Sequence, residues 1–485
     1  MKKHNIFKVV LITFLVVALF TWILPVAYFS SGYGYVEQGR MQVGLFDLIS
    51  YPLMTFQYFG LVFLFVIAIG GLYGVLNKIS AYRVFLDKLA NSFKNKSKLV
   101  ISIMIAILAI LTSIAGLQLG LLLFVPMLIS LILLMGYDKI TAALAIVGSL
   151  VVGVAGTTFG YNNINFIMST LNVKITSGIV SKIVILVAGI ALVIMNTLLY
   201  MSKCDKKSTK KTAKKTTKKA TKTKEVLVKE NDAFVPEKVS ARKKTTIAPL
   251  VVILSIVLVV VLLSFIPWSG AFKIKAFETA TKAVTKFKLF GFPIFGKLLG
   301  TVNAFGVWTV SELTIITILA TLLLSFIYKV KFDDMVDGFV AGVKRALPTA
   351  IIVVLIYACL VVAAERPYQM VIYKVLLDLS KGFNVVTGGL VAILASFFNV
   401  DPSYTFQSVL PYVASVSNKG DFSLIGVVFQ SMYGLTMLFA PTSIVLMAVL
   451  SYLEIPYTKW LKTIWKLLLE LLLLLFVIFI IILLV

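Results

Sequence analysis

Runs of about 18 or more apolar residues recur from one end of this chain to the other, and a run of that length is read as a membrane-spanning helix. Nothing else in the sequence restricts the fold as tightly. Sixty per cent of the 485 residues are hydrophobic, which leaves room for about ten to twelve spans at roughly 20 residues per crossing. The ~10-residue alternation of a transmembrane barrel is not found, so the chain reads as an all-α polytopic membrane protein.

Several of these runs are broken where a span should be uniform. Phe429-Gln430-Ser431-Met432-Tyr433-Gly434-Leu435-Thr436-Met437-Leu438-Phe439-Ala440-Pro441-Thr442-Ser443 mixes small and polar residues into an apolar stretch. Pro441 has no N–H and crowds the preceding turn, so nearby carbonyls lose their helical partners. Such groups are tolerated at membrane depth only where protein buries them or they line a watery cavity. The first half carries a second copy: a shift of 285 positions places Pro126 on Pro411, Thr157 on Thr442 and Gly116 on Asp401. Each half breaks at a small or polar cluster, residues 112–116 or 399–403, and resumes through a Pro-containing run. It then breaks again at Gly156-Thr157-Thr158 or Ala440-Pro441-Thr442-Ser443. Interrupted segments at matching places in two halves point to a transporter's substrate site. The halves are residues 1–201 and 247–485, separated by 202–246.

The net charge of +26, from 46 Lys and Arg against 20 Asp and Glu, lies mostly between 203 and 244 and beside the apolar runs. That distribution is the one that fixes orientation in a bilayer, with basic loops inside, and it argues against a nucleic-acid partner. The two cysteines are far apart and the single histidine is in the N-terminal tail. A disulfide framework, a cysteine or imidazole metal site and catalysis by a histidine base are thereby excluded, and no enzyme is expected. Residues 202–246 are too polar and charged to bury a core and read as a disordered cytoplasmic linker. Their lysines either lie against anionic headgroups, at about 1 kcal/mol each, or form a plain tether.

In order, a retained first span at 6–29 follows the cytoplasmic Lys2 and Lys3. A second span at 52–76 ends in Gly70-Gly71-Leu72-Tyr73-Gly74, which lets another helix approach closely. Residues 78–98 read as a basic, interfacial cytoplasmic segment. The lysine-bearing loop 267–306 is extracellular by alternation, against the positive-inside tendency, and a later span is expected at 348–364. Trp460 with Lys459 and Lys462 reads as an interfacial belt before the last span. Counting crossings, the broken units enter the membrane from opposite sides, which makes the repeats inverted.

Half-helix N-termini suit carboxylates, and exposed carbonyls at C-terminal ends suit Na⁺. Thr157, Thr158, Thr442 and Ser443 offer hydroxyls for a substrate or cation, or serve as small polar packing residues. Asp401 is the one acid inside a break. It is either a counter-charge or ion ligand or a helix cap. Asn162 and Asn163 divide between turn formation and ligand contact, and Ser403 lies in the same break as Asp401. Candidate partners are a small-molecule substrate, the lipid bilayer of the cytoplasmic membrane and a second copy of the chain. No cofactor is expected beyond coupling to Na⁺ or H⁺, with Na⁺ near Thr157 and Thr442.

Gly70-Gly71-Leu72-Tyr73-Gly74-Val75-Leu76-Asn77-Lys78, Gly136-Tyr137-Asp138-Lys139, residues 332–342, Ala440-Pro441-Thr442-Ser443 and residues 455–462 occur in this order. Together they resemble signatures of the YfcC-like proteins. That family sits in the anaerobic C4-dicarboxylate carrier and arginine/ornithine antiporter group of the ion transporter superfamily. The resemblance implies a secondary transporter with a scaffold and an elevator-type transport domain carrying two re-entrant hairpins. It places Thr112, Ser113 and Gly116 at the first tip and Pro441, Thr442 and Ser443 at the last break. The chain departs from the pattern at Gly116-Leu117-Gln118, where paired acids are common, at Asp401-Pro402-Ser403-Tyr404, and at Tyr433, where an acid often precedes the glycine. The expected function is transport or exchange of a small amino acid or carboxylate by alternating access. The rival is a non-transporting membrane adaptor with a lipid-binding linker.

Overall fold

The computed structural model describes residues 5–116, 118–215, 246–399 and 401–484, with backbone alone at 161–163 and 205–215. The first half holds α1 (Asn5–Ile23), α2 (Leu45–Leu76), α3 (Ser80–Phe93), α4 (Ser97–Ala115), α5 (Gln118–Leu121), α6 (Val125–Leu134), α7 (Lys139–Ala155), α8 (Tyr161–Leu171) and α9 (Ile179–Lys215). The second holds α10 (Ala248–Phe265), α11 (Ala276–Lys286), α12 (Ile294–Leu299), α13 (Val310–Ile327), α14 (Phe332–Glu365), α15 (Gln369–Leu379), α16 (Val385–Phe398), α17 (Pro402–Ser415), α18 (Phe422–Thr436), α19 (Ile444–Leu453) and α20 (Tyr457–Leu484). Among the described residues eight helical stretches are long and apolar enough to cross a membrane. The remaining apolar helices are shorter, α6, α7, α16 and α19, and each lies beside one of the breaks. The protein is a polytopic, nearly all-helical membrane protein.

Between α1 and α2 lies a hairpin, β1 (Ala27–Ser30) and β2 (Gly34–Glu37), where the sequence suggested the end of a span and a loop. It pairs antiparallel, Ala27 opposite Glu37, with Gly34 at φ +71° in the turn. Ala27 N–H donates to the Pro367 carbonyl, and Phe29 and Tyr35 pack on Tyr412 at 5.8 and 6.0 Å between ring centres. One end of the molecule is assembled in this way. At the other end Ser97 bonds Tyr137, Tyr200 donates to Asp138 and Tyr457 N–H donates to the Asn5 side chain.

α2 and α14 form the long antiparallel axis. A Cβ built on Gly70 would meet Ala346 Cβ at 2.5 Å and the Gly342 carbonyl oxygen at 2.7 Å, and one on Gly74 would meet Gly342 N at 2.8 Å. The packing seam expected of Gly70 to Gly74 is therefore a contact of backbone against backbone. Further along, Phe59 stacks on Tyr357 with centroids 4.1 Å apart. α14 begins well before the expected 348–364 span: Pro348 lies inside the helix, and the turns before it carry Gly338, Gly342 and Ala346 of the glycine seam.

Moved by 285 positions, α4, α7 and α8 fall on α16, α18 and α19 to within four residues at every boundary. Most of the linker, 216–245, lies outside the described residues, while α9 carries its first part as helix to Lys215.

Candidate functional site

α4 stops because Gly116 takes a left-handed conformation, φ +67°, that other residues adopt at a cost. α7 starts on an Asp138 cap, whose side chain accepts from Thr141 N–H at 2.9 Å, and is buried from Ile140 to Ala155. After Gly156 the chain leaves the helix until Tyr161. Buried polar backbone must be partnered, and the first tip supplies the partners. Ser113 Oγ donates to the Gly156 carbonyl at 2.7 Å and lies 3.1 Å from Thr158 Oγ1. The Ser113 carbonyl accepts N–H bonds from Thr158, Phe159 and Gly160 at 3.1, 3.3 and 3.0 Å. The two breaks touch at bare backbone: a Cβ on Gly160 would sit 2.9 Å from Gly116 Cα.

The second unit repeats the arrangement with different atoms. α16 ends at Phe398, and Thr442 Oγ1 donates to the Phe397 carbonyl at 2.5 Å. Ser443 caps α19 by accepting from Leu446 N–H, and Asp401 caps α17 by accepting from Ser403 and Tyr404 N–H at 2.9 and 3.1 Å. Carbonyls freed in 437–443 are met by α20. Trp460 Nε1 donates to the Leu438 carbonyl at 2.9 Å and Tyr457 donates to the Phe439 carbonyl. Trp460 is fully buried, a brace for the break rather than the interfacial anchor that its lysine neighbours suggested.

The units meet where α18 crosses α7. Gln430 Nε2 donates to the Val154 carbonyl at 2.6 Å and to Thr157 Oγ1 at 3.2 Å, and Ser431 donates to the Ala155 carbonyl at 3.1 Å. Gly434 permits the crossing, since a Cβ there would fall 2.7 Å from Ala155 Cβ. Tyr433 is fully buried, with its ring 5.4 Å from that of Phe406, just past the second tip. Gly116, Thr157, Asp401 and Thr442 thus all lie at breaks, and the breaks converge around α18.

Most of the expected hydroxyls are already engaged. Thr112 bonds back to Leu108, Thr157 to Gly153 and Val154, and Ser113, Thr442 and Ser443 hold the breaks in shape. Ser403 contributes its N–H to the Asp401 cap, Pro441 is buried within the last break, and the side chains of Asn162 and Asn163 lie outside the described residues. Two amides not singled out as ligands stand out instead. Among the described residues Asn399, fully buried at the second tip, has a partner for neither its Nδ2 nor its Oδ1, and Gln430 has none for its Oε1. Buried polar atoms are nearly always partnered, so these atoms mark open hydrogen-bonding positions within the breaks. Their signal in the sequence is an amide within an apolar run. Lys182 is a third addition, 6% exposed and one turn before Leu186, whose backbone a Cβ on Gly156 would strike.

A model of the C4-dicarboxylate anaerobic carrier family, DcuC, matches residues 4–485. The chain belongs to this family. A DcuC-family protein is a membrane carrier and not an enzyme, with a small-molecule substrate and the bilayer as partners. Among solved structures the chain is similar to the YdaH transporter of Alcanivorax borkumensis, described as having an unusual topology. The two are 14% identical over 98% of this chain and 97% of that one, with a TM-score of 0.41. No curated protein matches it.

The asparagine variant at Asp401 separates its two roles. Asparagine caps helices as well as aspartate does, so Asp401→Asn is expected to keep uptake within about twofold, while Asp401→Ala loses roughly 1 kcal/mol of stability. Proteoliposome flux and thermal melts read the pair. Abolished flux in the folded asparagine variant would instead make the charge essential.

Proposed function

We propose that this carrier is a secondary transporter or exchanger for a small carboxylate or amino acid in the cytoplasmic membrane, working by alternating access. The observation that carries the reading is the meeting of four helix breaks at α18, with unpaired amide atoms of Asn399 and Gln430 buried among them. A substrate bound there would complete the hydrogen bonding that the protein leaves open. The carboxylate class is favoured by the family's description and by the buried Lys182, one turn from Leu186, which packs on Gly156 at the second break of the first unit. The repeat of element order at 285 positions supports two inverted units with re-entrant hairpins, α4 to α6 and α16 to α17, moving against α2 and α14 as an elevator. The YfcC-like subgroup within the family is part of the same reading.

Coupling to Na⁺ or H⁺ belongs to this proposal too. The Val154, Thr157, Phe397 and Thr442 oxygens lie at the breaks, and Na⁺ there would take oxygens now bonded to one another. Proteoliposomes offered a panel of amino acids and C4-dicarboxylates, under Na⁺, proton or counter-substrate gradients, test the function. Uptake or exchange of at least one member is expected. Silence across the panel from correctly folded protein would overturn the proposal.

A further inference from the structure

Between α10 and α13 the chain builds a small amphipathic unit whose base is tied to the two helices. Trp268 Nε1 donates to the Leu263 carbonyl of α10 at 2.8 Å, and Gly306 N–H donates to the Ser264 carbonyl at 3.0 Å. Phe277 of α11 packs on Trp268 and Phe305 at 5.0 and 5.8 Å between ring centres. The unit is thereby held where α10 ends and α13 begins, and both of those helices are long and apolar enough to cross a membrane. Every residue of α11 and α12 is half-buried or exposed. α11 sets Phe277, Ala280 and Val284 on one face and Lys282 and Lys286 on the opposite one. Just beyond it Leu289 and Phe292 exchange both backbone hydrogen bonds, at 2.9 and 3.0 Å, around a two-residue turn. Such a turn takes left-handed backbone at both central residues. Gly291 adopts it freely at φ +80°, whereas Phe290 adopts it at φ +49°, a conformation that costs a bulky residue energy. Phe290 is also 100% exposed. Phe287, Leu289, Phe292 and Phe295 around it are 43–55% exposed, and the rings of Phe287 and Phe295 lie 5.7 Å apart. Lys286, Lys288 and Lys297 flank this aromatic hairpin in sequence, and residues 267–306 hold six lysines against one acid, Glu278.

We propose that residues 276–299 are an interfacial foot, lying on the anionic headgroups of the leaflet where α10 ends, with the Phe290 turn among the acyl chains beneath them. A helix that carries an apolar face opposite a lysine face lies in the interface plane. Lysine stems reach back to the headgroups while the apolar body sinks. The excess of lysine selects anionic over zwitterionic lipid, since each lysine near a negative surface adds attraction. A second copy of the chain fits poorly, because a two-fold contact through this patch would bring the same lysines face to face. The strained, exposed turn points the same way: backbone outliers persist where a function holds them, and a phenylalanine at a tip is a wedge for hydrocarbon.

The test places a nitrobenzoxadiazole probe on Phe290→Cys in a Cys204→Ser/Cys359→Ala background, in nanodiscs of phosphatidylcholine alone or mixed with phosphatidylglycerol. In the mixed discs the probe is expected to emit blue-shifted and to be quenched by spin-labelled lipid rather than by iodide. The ratio of lipid-facing to water-facing probe should fall at least about tenfold in phosphatidylcholine, and equally in Lys282→Gln/Lys286→Gln/Lys288→Gln, given the attraction each lysine adds. Unlabelled wild-type protein checks the same point by hydrogen exchange, with amides of 282–299 exchanging more slowly in the mixed discs. A probe open to iodide in both discs, lipid contact of equal strength in the two or untouched by the triple variant, or equal wild-type exchange overturns the proposal. Blue-shifted emission that persists in detergent and disappears on dilution would assign the patch to a second copy and overturn it as well.

Discussion

Leucine in place of Gly342 is expected to eliminate the folded protein from detergent extracts rather than to impair transport selectively. A Cβ at this position would lie 2.8 Å from the Gly70 carbonyl carbon and 2.9 Å from Gly74 Cα. Backbone cannot rotate away as a side chain can, so α2 and α14 would have to separate. Lipid tails are as apolar as the helices, so close packing rather than hydrophobic burial holds such a pair together. Overpacking costs about 1–3 kcal/mol where neighbours yield, and more is expected here because the whole seam opens. Gly342→Ala carries the same Cβ, 2.0 Å from the Gly70 carbonyl oxygen, and should also be strongly destabilised, with the leucine variant the more complete loss. Size-exclusion profiles and thermal melts decide, and a monodisperse leucine variant melting with wild type would contradict the seam.

The second large effect is at the last break. Thr442→Ala with Ser443→Ala removes the bond to the Phe397 carbonyl and the α19 cap. An orphaned buried acceptor costs about 1–3 kcal/mol and a lost cap typically about 1 kcal/mol. That strain falls on a region braced independently by Trp460 and Tyr457 of α20, so the fold should persist while the break loosens. Uptake per mole of protein is expected to fall at least tenfold with expression intact. Unchanged transport by this double variant would remove the last break from the functional site.

Much of this was legible in the residues because interruptions carry their own chemistry. Glycine, proline and hydroxyl clusters at 112–116, 156–160, 399–403 and 440–443 mark helix ends wherever hydrocarbon surrounds them, and the glycines of α2 announce a close partner. Which way a hydroxyl turns is another matter. Ser113 and Thr442 carry the same group whether they face a cavity or a neighbouring carbonyl, and only the tertiary fold decides that both bridge breaks. Asn399 stands in the polar cluster of the second tip, Gln430 among the polar residues that interrupt its run and Tyr433 where an acid is common, yet nothing in the sequence marks either amide as open, since an amide's lack of a partner depends on segments hundreds of positions away. Trp460 among lysines has the composition of an interfacial anchor, and burial under Leu438 reverses its role. The first turns of α14 are charged enough to pass for a loop, yet their glycines make them half of the seam.

That seam also limits how the molecule can move. Two rods whose peptide groups interlock cannot glide along each other without climbing over every ridge, so α2 and α14 behave as a single keel. On the alternating-access reading proposed above, a stroke that carries the converging breaks across the bilayer would slip along the keel's other flank, where α6 and α19 face it.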